Sequence, residues 1–182
     1  MNEQTRPFQW ARNRALGLIL VAFSALMTFA PVSAQEFKIG ELRLEQVWSR
    51  ATPKGAKVGA GYLKITNTGA EADRLVSAEA TFADRVEIHE MSMDGGIMRM
   101  RRLEKGLVIP PGKTAVLKPG GYHLMFIELN TPIVKDQPFD ATLEFEKAGK
   151  IKVMFQVAGI GAAAPSGSHV GSHSGAMKRK SE

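Results

Sequence analysis

Histidine and methionine fall together in two places in this chain. In His89-Glu90-Met91-Ser92-Met93-Asp94-Gly95-Gly96-Ile97-Met98-Arg99-Met100, one histidine and four methionines occupy twelve residues. In Gly120-Gly121-Tyr122-His123-Leu124-Met125, a histidine and a methionine stand two apart, so on a strand they project to the same side. Thioethers are soft, uncharged and weak ligands that select copper(I), whereas zinc takes thiolate, imidazole or carboxylate and hard cations take oxygen. Two imidazoles and two thioethers from these segments would make a copper(I) donor set. Because it adds no negative charge, such a set leaves the metal transferable. Methionine also fills gaps in cores, and a strand histidine can be a hydrogen-bonded bystander. It is the clustering, more than the count, that favours a metal.

The 182 residues include nine methionines and four histidines but no cysteine. That excludes disulfides, zinc fingers, iron–sulfur clusters, a cysteine nucleophile and a blue-copper site. In an oxidising compartment a thioether has the further merit that it cannot form a disulfide, although it can become a sulfoxide.

The elements that position these residues read as strands. Short apolar-alternating segments at 42–48, 62–66, 85–91, 97–103, 114–117, 122–129, 141–146 and 151–157 are separated by turn signals. These are Thr52-Pro53-Lys54-Gly55, Asn67-Thr68-Gly69, Asp94-Gly95-Gly96, Pro110-Pro111-Gly112 and Pro119-Gly120-Gly121. The spacing predicts an antiparallel β-sandwich or barrel, with no helix of ten or more residues in the body. A turn at Asp94-Gly95 would pair His89 with Met100 and Met91 with Met98; a turn at Gly95-Gly96 would pair Met91 with Met100 and Met93 with Met98. Either register gathers sulfur on one face, with Val86 and Ile88 on the other and Tyr122, Leu124 and Phe126 turned away from His123.

Two segments lie outside this body. Residues 1–34 have the three parts of a secretory signal peptide: a polar stretch with Arg6, Arg12 and Arg14, an apolar run over 15–30, and Val32-Ser33-Ala34. Cleavage is expected after Ala34, with no cysteine to carry a lipid, leaving a domain over 35–158 and a flexible tail over 159–182. The remaining chain has 21 basic and 17 acidic residues, too mild an excess to suggest nucleic-acid binding.

The motif His89, ten residues, Met100, 22 residues, His123-Leu124-Met125 resembles the PCuAC family of bacterial periplasmic copper chaperones, whose second gap is about one residue shorter. The surroundings are similar too: Trp48-Ser49-Arg50-Ala51-Thr52-Pro53, Gly61-Tyr62-Leu63-Lys64-Ile65-Thr66-Asn67, Val86-Glu87-Ile88-His89-Glu90-Met91 and Leu117-Lys118-Pro119-Gly120-Gly121. The resemblance implies an all-β, cupredoxin-like β-barrel fold and copper(I) held by His89, Met100, His123 and Met125. It also implies delivery to the CuA centre of cytochrome c oxidase subunit II alongside a Sco-type thiol protein. Met91, Met93 and Met98 are not principal ligands of that family and are expected to be auxiliary ligands, exchange sites or packing.

In the tail, His169, His173 and Met177 recur every four residues, similar to extensions in some family members thought to bind copper(II). Gly167, Gly171 and Gly175 argue against an isolated helix there. A histidine-brace copper enzyme would need histidine at the mature terminus, where Gln35 is expected, and neither His89 nor His123 lies in a nucleophile-elbow context. A copper chaperone without substrate turnover is therefore the leading expectation, with a copper buffer using the same ligands as its alternative.

Overall fold

The computed structural model describes residues 35–165, which contain eleven strands and no helix. In chain order these are β1 (Phe37–Ile39), β2 (Leu42–Arg50), β3 (Val58–Asn67), β4 (Asp73–Glu79), β5 (Ala83–Asp94), β6 (Ile97–Arg102), β7 (Leu107–Ile109), β8 (Thr114–Leu117), β9 (Tyr122–Leu129), β10 (Phe139–Phe145) and β11 (Gly149–Ala158). All five turn signals fall between strands. The segments 1–34 and 166–182, with the expected signal peptide and with His169, His173 and Met177, lie outside the described residues.

The pairing order is β6-β5-β9-β8-β3-β2-β11-β10-β4-β7, with β1 on β2 and an additional β9–β3 pairing. The sheet is mixed: β11 runs parallel to β2, β8 meets β9 in parallel at Leu117 and Tyr122, and the other pairings are antiparallel. The path is open, ending at β6 and β7. β11 joins its two parts. Residues 149–155 pair with β10, while Gln156, Val157 and Ala158 pair with β2. Leu44 and Ile65 from one part are thereby buried with Leu75, Ile109, Leu143 and Phe155 from the other in one core.

Three strands are absent from the alternation pattern for local reasons. β1 and β7 are only three residues long, and β4 contains a register shift opposite Glu144 and Phe145 that buries both Leu75 and Ala78. A second irregularity serves the outer face. Leu42 and Leu44 of β2 face the core, then Gln46 takes φ 51° within a register shift between Glu45 and Trp48. The extra residue reverses the alternation, so Val47 joins the main core and Trp48 packs outside it on Tyr62, ring centres 4.6 Å apart.

Candidate metal centre

Two turns set the site. At the β5–β6 hairpin, Gly95 and Gly96 have φ of 57° and 81°. A two-residue turn of this kind needs positive φ at both central positions, and two glycines meet that without the roughly 1 kcal/mol or more that Asp94 would lose there. The turn is therefore Gly95-Gly96, and the pairing of His89 with Met100 from an Asp94-Gly95 turn is corrected: Met91 pairs with Met100, Met93 with Met98, and His89 with Arg102. The two registers differ by two residues, so the faces are unchanged and only the neighbours differ. The second turn precedes β9. Gly120, after Pro119, has φ 78°, and Gly121 donates its N–H to the Lys118 carbonyl at 3.1 Å.

The β5–β9 pairing, which the sequence pattern did not predict, brings the two segments together. His89 stands directly opposite His123, their ring centres 5.7 Å apart. Ala60 of β3 pairs with Met125, and Met91 donates its N–H to the Gly121 carbonyl at 3.1 Å. His89, Met91, Met93, Met98, Met100, His123 and Met125 thus share one sheet face. On its reverse, Ile88 and Leu124 enter the main core. Phe126 packs edge-on against Phe139 and Phe155 at 5.6 and 6.0 Å, contacts worth about 0.5–1.5 kcal/mol each beyond area burial.

Each imidazole is oriented by an acceptor. His123 is buried, and its Nδ1 lies 3.0 Å from the Gly121 carbonyl oxygen. A carbonyl can only accept, so Nδ1 carries the hydrogen and Nε2 presents a lone pair. His89 Nε2 lies 2.8 Å from Glu87 Oε2. That bond leaves the lone pair on Nδ1, which is buried and has no hydrogen-bond partner. An unmet buried acceptor costs about 1–3 kcal/mol, which a bound metal would remove. An ion held about 2 Å from one nitrogen of each ring allows ring centres up to about 6.5 Å apart, and the observed 5.7 Å fits.

Glu87 was missed by sequence reasoning. It sits two residues before His89 on the same face, and strand alternation alone would have signalled it. Its carboxylate also meets Arg85 at 3.2 Å and Arg102 at 3.3 Å. Its pKa is lowered first by the hydrogen bond from His89 and further by the two arginines. Burial lowers the pKa of His123 most, with the His89 charge adding to this and the Gly121 carbonyl opposing it. The net lowering favours a neutral His123 imidazole at neutral pH.

Beside the rings is a cavity of about 460 Å³, lined by His123, Met125, Met91, Met98 and Met100, with Arg50 and Tyr62 in its wall. His89 does not line it. Arg50 is occupied in the wall, donating to the Ala162 carbonyl at 2.7 Å and lying 5.8 Å from the Tyr62 ring centre. The structure therefore groups the four principal residues on one face but puts Met91 between Met100 and His123. Among the described residues no three His, Cys, Asp or Glu are arranged to hold a metal ion. The side chains that line the cavity beside His123 include four thioethers, donors that suit soft ions better than zinc or hard cations.

The structure is an all-β domain with histidine and methionine clustered on one sheet face, and comparison with known proteins agrees on the fold. Residues 42–157 match the family described as "Putative lipoprotein LpqE-like", and the chain belongs to that family, with a domain of PCuAC type. A relative from Leifsonia xyli subsp. xyli, "Putative lipoprotein Lxx21020", is 28% identical over 143 residues, covering 78% of this chain and 85% of its own. The apo PCuAC domain from PmoF1 has a TM-score of 0.59 at 25% identity, over 69% of this chain and 99% of that one. The copper-bound PCuAC domain from PmoF2 has a TM-score of 0.60 at 24% identity, over 69% and 98%.

Proposed function

We propose that this protein is an exported copper chaperone that holds copper(I) through His89, Met100, His123 and Met125 and releases it by ligand exchange, with no substrate turned over. One observation carries the reading: a buried and a half-buried imidazole stand opposite each other, each with one nitrogen held by an acceptor and the other left free, on a sheet face furnished with thioethers. The copper-bound PmoF2 domain supports it through a shared fold. Ligand exchange needs open coordination positions, and the cavity beside His123 lets an acceptor's ligands approach the thioether side.

The acceptor is proposed by family resemblance to be the CuA centre of cytochrome c oxidase subunit II, with a Sco-type thiol protein alongside it. The compartment is proposed to be the periplasm, reached through the leader at 1–34. Among the described residues no helix is long and apolar enough to cross a membrane. The lipoprotein descriptions belong to the relatives; these 182 residues contain no cysteine. His169, His173 and Met177 are proposed as a separate copper(II) site. The deciding experiment is anaerobic copper(I) transfer to a purified CuA domain, comparing the wild type with His123→Ala. Transfer by the wild type alone supports the reading, and equal transfer by both overturns it.

A further inference from the structure

The outer end of the face carries more sulfur than the proposed centre uses. Met93 and Met98 pair across the β5–β6 hairpin and are 67% and 63% exposed. They fill no core, so the usual use of methionine as a gap-filler does not account for them. Exposed apolar residues beside an edge strand are a liability that proteins normally blunt with charge. Here the charges are on the other face: Arg99 meets Asp94 at 3.5 Å and Arg101 meets Glu90 at 2.7 Å. The sulfur face near the tip is consequently uncharged. Inward from the tip, the Met91–Met100 pair comes next, then buried His123.

We infer that Met93 and Met98, with Met91 as their inner neighbour, form a second, solvent-open copper(I) site that captures the ion and passes it inward to the His123 centre. The inference rests on the proposed copper(I) reading and extends it to the route of loading. The step is ligand exchange. A sulfur–copper bond at Met93 or Met98 breaks as one forms at Met91 or Met100, copper remains +1, and no electron or proton moves.

The test uses the full chain with its methionine methyl groups labelled with carbon-13, and silver(I) as a redox-inert probe. The expected result is that silver shifts the Met93 and Met98 methyl signals as well as that of Met125. In the Met93→Leu/Met98→Leu variant, which keeps apolar bulk but removes sulfur, one bound silver should be lost. The Met125 response should remain in that variant, and loading from a small copper(I) complex should slow. Met93 and Met98 signals unmoved by silver while Met125 shifts would overturn the outer site and leave the inner centre standing. Unmoved Met100 and Met125 signals would instead overturn the inner centre, and the inward route with it. A leucine variant that loads copper(I) as fast as the wild type would overturn the capture role.

Discussion

The two ends of the His/Met face differ in how firmly their donors are held. At the inner end His123 is buried and tied to the Gly121 carbonyl, and His89 is tied to Glu87, itself gripped by two arginines. At the outer end Met93 and Met98 extend from a glycine turn into solvent. Oriented imidazoles lose little freedom on binding a metal, whereas exposed methionines must be ordered first. The inner end is suited to retention and the outer end to exchange. The uneven burial of one sheet face is thus a gradient in how firmly its side chains are held, in a domain with a continuous sheet.

Losing a ligand at the inner end should do most. His123→Ala is expected to reduce copper(I) affinity by about a hundredfold or more, since loss of outer-shell partners alone costs about 10–100-fold. Anaerobic competition with a copper(I) chelator measures it, and unchanged affinity in both His123→Ala and Met100→Ala would refute the assigned centre. Glu87→Ala tests whether orientation matters. It should weaken affinity by about tenfold while leaving the fold intact by circular dichroism. No change would mean that Glu87 merely pairs with its arginines.

Acid should separate the ends more gently. The pKa of His123 is lowered by burial, so the folded chain binds this proton less readily than the unfolded chain. Stability attributable to His123 is therefore lost as pH falls below the unfolded value of about 6.5, and metal affinity begins to fall below about pH 6. An NMR titration placing His123 above the ordinary histidine range would contradict the burial. The smallest effect is expected at the tip. Gly96→Ala should cost about 1 kcal/mol of stability through its positive φ, read as a lower urea midpoint, with inner-site affinity retained. A large loss of affinity would show that the hairpin turn also positions the inner donors.

Much of this arrangement was legible in the residues. Period-2 alternation identified eight strands, and Pro119-Gly120 and Asn67-Thr68-Gly69 marked turns that the fold uses. His123 and Met125 share a face because they are two apart, which needs no distant contact. The Met91–Met100 pairing was one of two registers that the hairpin allowed, and it wins because both left-handed positions are then glycine. By contrast β4 and the reversal at Gln46 break alternation, since each irregularity answers to a neighbouring strand distant in sequence.

Ligand chemistry followed from composition: without cysteine, clustered thioethers and imidazoles leave a soft, uncharged donor set, and strand parity places its members on one side. Which donors become neighbours depended on long-range pairing. β9 inserts between β5 and β3, putting His123 against His89, Met125 against Ala60, and Met91 nearer than Met100 to the buried ring. Alternation specifies the face a side chain occupies but carries no record of the strand that will lie beside it, because that choice is made by burying Leu124, Phe126 and Ile88 together with residues from the whole chain.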